Sequence, residues 1–131
     1  MIRKNDHLTL NNKVDLVRGD SILINVFLNI GTDSRPVQYQ AQDTDVFFFS
    51  LYKPNHVFEQ GVVKKVLTIE NIDENGDLSI LIEPEDTLNL HGGQYYWMVK
   101  MVHHEKDEDD VLVPNGSVDT IIRETSFYIY R

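Results

Sequence analysis

With 131 residues, 41% of them hydrophobic, and no cysteine, the chain reads as one domain with a single core and without disulfides, thiolate metal sites or a cysteine nucleophile. Its 21 acidic against 12 basic residues give a formal charge of −9, which disfavours nucleic acid and anionic membranes and leaves a basic protein partner or a cation open. No apolar run approaches the roughly 20 residues of a membrane helix, and the charged start, Met1 to His7, lacks an apolar signal core, so a soluble protein made in the cytoplasm is expected.

Residues 1–12 read as a short N-terminal arm, in which Leu8 and Leu10 alternate with His7, Thr9 and Asn11. Val14 to Val17 is a first strand, stopped by the turn Arg18-Gly19-Asp20, which Asp20 is expected to cap. From Ser21 a period of two sets Ile22, Ile24, Val26, Leu28 and Ile30 on one face, the pattern of a core strand. Gly31 to Asp43 is polar and holds Pro36, so it reads as a loop. Asp45 to Lys53 is apolar on both faces, as a central strand should be. After Pro54-Asn55, Val62 to Glu70 gives a further strand. Asn75-Gly76 then signals a hairpin, because both residues accept positive φ.

The stretch Leu78 to Met101 organises the rest. Leu78, Ile80 and Ile82 share one face of a strand, and Pro84, with no N–H to donate, ends its ladder. Asp86-Thr87 is a pair that folds a chain back on its own amides, and Asp86 is expected to accept backbone hydrogen bonds there. Gly92-Gly93 makes a corner, and a strand leaves it with Tyr95, Trp97, Val99 and Met101 on one side. In immunoglobulin-like sandwiches a tyrosine near the start of a late strand bonds back to the corner, and a core residue follows two positions on. Tyr95 and Trp97 fit those places.

His103 to Asp110 is a solvated loop tip, and Val111 to Val113 with Val118 to Ile122 flank Pro114-Asn115-Gly116 as a second hairpin. Thr125 to Arg131 closes the sheet, Phe127 and Ile129 opposite Tyr128 and Tyr130. Strands separated by turns, with no run of helical period, predict an all-β chain: an immunoglobulin-like antiparallel β-sandwich of about seven to nine strands.

Few motifs point to chemistry. Arg18-Gly19-Asp20 is the tripeptide of integrin ligands, yet it leads into a core strand and reads as a turn. Asp73, Asn75 and Asp77 lack the spacing of a calcium loop. His103, Glu105, Asp107 and Asp109 could collect a cation, but neighbouring side chains on a strand point to opposite faces and a solvated charge run is expected. Asn115-Gly116-Ser117 fits a glycosylation sequon and reads as a turn. Glu83 and Glu85 flank Pro84 without forming an acid–base pair. No nucleophile elbow, phosphate loop or zinc-protease helix is present, so no catalytic residue, metal ligand or cofactor is assigned. A rival reading makes Tyr39, Tyr52 and Tyr96 a stacking platform for carbohydrate.

Taken together, Arg18-Gly19-Asp20-Ser21, the strand from Asp45, the corner Pro84-Glu85-Asp86-Thr87 and Gly93-Gln94-Tyr95-Tyr96-Trp97 resemble small immunoglobulin-like modules of tailed-bacteriophage virions. The likeness is to the N-terminal domain of phage upper baseplate proteins and covers roughly Val17 to Met101, with Ser21 where threonine is more usual. It implies a virion structural protein of baseplate, tail or head that contacts other virion proteins or further copies of itself, and neither nucleic acid nor membrane. Asp20, Asp86, Thr87, Gly93, Tyr95 and Trp97 then carry structural roles. The expected contact edges are His7 to Asn11 and Phe127 to Tyr130, since an edge strand's free amides can be completed by a neighbour.

Overall fold

A computed structural model of the chain describes residues 2–3, 12–32 and 34–131. Where apolar side chains recur every second residue, the backbone is extended and that side is buried. In β3 (Ile22–Val26) and β6 (Leu78–Ile82) the inward residues are all buried, and the strands pair antiparallel with Ile24 opposite Ile80. β1 (Ile2–Arg3) joins the other side of β3, so the first sheet has the order β1-β3-β6.

The second sheet is built from β2 (Val14–Val17), β4 (Asp45–Tyr52), β5 (Val63–Leu67), β7 (Gly93–Lys106) and β8 (Leu112–Tyr130), in the order β2-β8-β7-β4-β5. Phe47, Phe49, Trp97, Met101 and Phe127 point inward from it and meet Ile24, Leu28 and Ile80 in one apolar cluster. The protein is all-β. Among the described residues, helix is confined to one turn, α1 (Pro84–Thr87), to 3-10 turns at Phe58–Gln60 and Ile69–Asn71, and to 3-10 geometry at Asn12. Trp97 sits at the centre with no exposed surface, its ring 5.9 Å from that of Phe49 and its indole N–H donating to the Asn12 carbonyl at 3.2 Å.

Several sequence expectations change. β2 runs parallel to β8, with Val14 opposite Phe127 and Val17 opposite Tyr130, so the sandwich is not wholly antiparallel. That pairing also places Phe127 to Tyr130 between β2 and β7, and the C-terminal residues are not an edge. The other proposed edge, His7 to Asn11, lies outside the described residues. β3 ends at Val26, and Ile30 is 54% exposed.

Pro114-Asn115-Gly116 makes no hairpin. β8 passes straight through it, with Val118 opposite Val102 and Pro114 opposite His104, so β8 spends more residues than β7 over the same length. Asn115, Gly116 and Ser117, between those two pairs, form a bulge in which Gly116 takes φ +92. A bulge and a hairpin turn use the same left-handed glycine, so the dipeptide alone cannot separate them. The reversal falls in the acidic run as expected, but His103 to Lys106 of the expected loop belong to β7. The turn begins at Asp107, whose Oδ1 accepts the N–H groups of Asp109 and Val111, both at 2.9 Å. Asn75-Gly76 does turn the chain, but β5 and β6 belong to different sheets and only Ile72 and Leu78 pair across it.

Candidate functional site

Polar groups close the two ends of the core, and each end was assembled by a different kind of residue. At the first, Gly19 adopts φ +85, which side chains other than glycine rarely take, and this bends the chain from β2 into β3. The Asp20 N–H donates to the Val17 carbonyl at 3.0 Å, but its exposed carboxylate makes no hydrogen bond among the described residues and does not cap the turn. The cap comes from across the sandwich. The Thr87 hydroxyl, with no exposed surface, accepts the Gly19 N–H at 3.0 Å.

Thr87 ends α1, whose first residue is Pro84, a place where the missing N–H costs nothing. Asp86 Oδ2 accepts the Glu83 N–H at 2.8 Å and the Lys65 ammonium at 2.6 Å, fixing α1 to β6 behind it and to β5. Gly93, at φ +141, opens β7. Two residues on, the Tyr95 hydroxyl donates to the His91 carbonyl at 2.8 Å, and burial pushes its pKa up. Asp86, Thr87, Gly93 and Tyr95 thus lie along this corner, with Asp20 at its exposed margin and Trp97 further in, at the centre of the core.

The opposite end is ionic, and the sequence reading passed over it. Asp45 holds the first inward place of β4, before Phe47 and Phe49, and His103 follows Met101 on the inward side of β7. Register sets Asp45 opposite His103 and Asp119 opposite Met101. His103 Nδ1 stands 2.7 Å from Asp45 Oδ1, and Nε2 stands 2.8 Å from Asp119 Oδ2. Carboxylates only accept, so both bonds form when the ring carries both protons. The His103 pKa is accordingly raised, first by the bond to Asp119 and then by Asp45, against the opposing effect of burial.

Asp45 is 2% exposed, and its other oxygen accepts the Tyr39 hydroxyl at 2.6 Å and the Gln42 N–H at 2.8 Å. The Tyr39 ring meets His103 edge-on at 5.8 Å, and burial and then the Asp45 bond drive its hydroxyl pKa upward. A groove of about 450 Å³ runs beside this cluster, between Gly31, Tyr39, Asp119 and Ile121. The signal that could have found the cluster is a titratable residue at inward parity next to a core residue, Asp45 before Phe47 on β4 and His103 after Met101 on β7.

The chemistry of this cluster is that of a clamp. Both imidazole nitrogens are engaged, so neither is free to act as a base. The two carboxylates lie on opposite sides of the ring and cannot meet at one ion; among the described residues no metal-binding group of three His, Asp or Glu side chains is found. Tyr39, Tyr52 and Tyr96 do not share an exposed face. Tyr52 is 1% exposed and donates to Glu124 at 2.6 Å, and Tyr39 is at the other end of β4.

The outward side of the second sheet is the remaining feature. Val46, Phe48, Met98 and Val102 are half-buried there, and Val66 and Val118 are 66% and 55% exposed. Register places Val66, Phe48 and Lys100 in one row and Val46, Val102 and Val118 in the next. A scan of this chain against protein-family models finds no match, and a search among curated proteins finds none either.

Proposed function

We propose that the chain is a non-enzymatic structural module of a tailed-bacteriophage virion, an immunoglobulin-like sandwich that works through protein–protein contact. The observation that carries this reading is the bond between Gly19 N–H and Thr87 Oγ1. Two of the four stretches behind the phage resemblance, joined by residues 68 apart, touch in space and form one corner. Their joint presence therefore has a physical reason: the turn into β3 lacks its own cap, and the corner after β6 supplies it.

Strand order supports the immunoglobulin-like part. β8-β7-β4-β5 corresponds to the G-F-C-C′ sheet of variable-type domains, and β1-β3-β6 to A-B-E. The Tyr95 bond to His91 has the form of a tyrosine corner, and Trp97 takes the inward place where antibody domains carry a disulfide cysteine. The apolar cluster that Trp97 shares with Ile22, Ile24 and Val26 of β3 joins the two sheets in place of that covalent link. Immunogold labelling and mass spectrometry of purified particles from a phage carrying this gene test the proposal. Stoichiometric copies on head, tail or baseplate support it, and absence from intact particles overturns it.

A further inference from the structure

We infer that the outward face of the second sheet is a homodimer interface, pairing with the same face of a second copy of this chain. The inference rests on the reading of the chain as a contact module and names one partner for it. Aliphatic and aromatic side chains dominate the face: Val46, Phe48, Val66, Met98, Val102 and Val118, none of them fully buried. The open β-sheet face of a soluble domain is normally polar, giving alternation of apolar inside and polar outside. Here the outward side of β4 is largely apolar as well as its inward side, and Met98 and Val102 of β7 extend the apolar patch.

Charge selects the second copy. The chain carries −9, so two copies repel almost wherever they meet. The middle of this face is different: the charged side chains among its outward positions on β4, β5 and β7 are Lys64, Lys100 and, at the end of β7, Lys106, and none is a carboxylate. It is a face on which two acidic molecules can meet without opposing like carboxylates. A two-fold axis along the strands sets β5 of one copy over β8 of the other and β4 over β7. Lys64 then approaches Glu124, which lies at the margin of the face beside Tyr52. Phe48 of one copy approaches Lys100 of the other, a cation–aromatic contact of the kind Lys100 already makes with Phe58 at 4.6 Å. The patch is thus self-complementary, as an isologous interface requires.

Size sets the strength. Four strands spaced about 4.8 Å apart and about eight residues long give a face of roughly 500 Å², or about 1,000 Å² for a pair, the lower bound for a specific interface. A dissociation constant on the order of 10 µM is expected. Sedimentation velocity over a concentration series from about 1 to 300 µM is the test, with Val66→Asp and Val118→Asp as variants. Both positions are exposed, so the monomer keeps its fold, which circular dichroism checks. The wild type should move reversibly from 15.2 kDa to twice that mass, and each variant should weaken the dimer tenfold or more. A wild type monomeric at every concentration overturns the inference, as does a folded variant that dimerises like the wild type. Either failure leaves the virion reading standing, because that reading is decided on particles.

Discussion

The two ends of the core do the same job with opposite chemistry. At the Gly19–Thr87 end, hydroxyls and backbone amides close the sandwich beside the Asp86–Lys65 ion pair, and the bonds from Gly19 to Thr87 and from Tyr95 to His91 involve no ionised group. At the Asp45–His103–Asp119 end, closure depends on an imidazolium held between two carboxylates. Neutral hydrogen bonds are each worth about 1 kcal/mol net and do not respond to pH near neutrality. Charge-assisted ones are stronger but hold only while the proton is present. One end is therefore constant and the other conditional.

The largest effect should come from the residue both ends rest on. Trp97→Ala empties the centre and should cost about 3–5 kcal/mol in denaturant unfolding. An unchanged midpoint would remove Trp97 from the core. Next is Asp45→Ala, which takes the shared acceptor from His103, Tyr39 and Gln42 at once. Breaking a buried network in this way should cost about 3 kcal/mol near pH 6. Thr87→Val keeps the shape, leaves the Gly19 N–H without its acceptor, and should cost about 1–2 kcal/mol at every pH.

The contrast is sharpest in the pH dependence. The folded His103 pKa is raised above its ordinary 6.5, so its stabilisation is complete below that value and lost as pH rises through the folded pKa. Melting temperature should fall as pH rises above about 6.5 in the wild type and in Thr87→Val alike, and flatten in His103→Gln. Parallel slopes in all three proteins would dissolve the distinction between the ends. The smallest effect concerns the acidic turn. Asp107 is committed to its own backbone amides, so calcium or zinc should leave the melting temperature unchanged, and a saturable rise would reveal a cation site.

The neutral end was legible in the sequence because its parts are local signals. A glycine turn, a proline-led corner and an alternating aromatic strand each announce themselves within a few residues, although the Thr87 bond to Gly19 does not. The core faces of β3 and β6 were legible for the same reason. The ionic end was not, because Asp45 and Asp119 lie 58 and 16 residues from His103 and meet it only through register. Register depends on pairing, and pairing here was obscured by the bulges of β8. A hairpin signal at Pro114-Asn115-Gly116 added a second reversal after the acidic loop and hid the alignment of Asp119 with Met101.

The parallel pairing of β2 with β8 has a mechanical consequence. Val14 lies opposite Phe127 and Val17 opposite Tyr130, and the chain leaves this ladder backwards from Val14 and forwards from Tyr130. Tension between Lys13 and Arg131 therefore pulls the two strands along their length in opposite directions. All the rungs are loaded together in shear, where an antiparallel pair pulled from one end would give way rung by rung, like a zip.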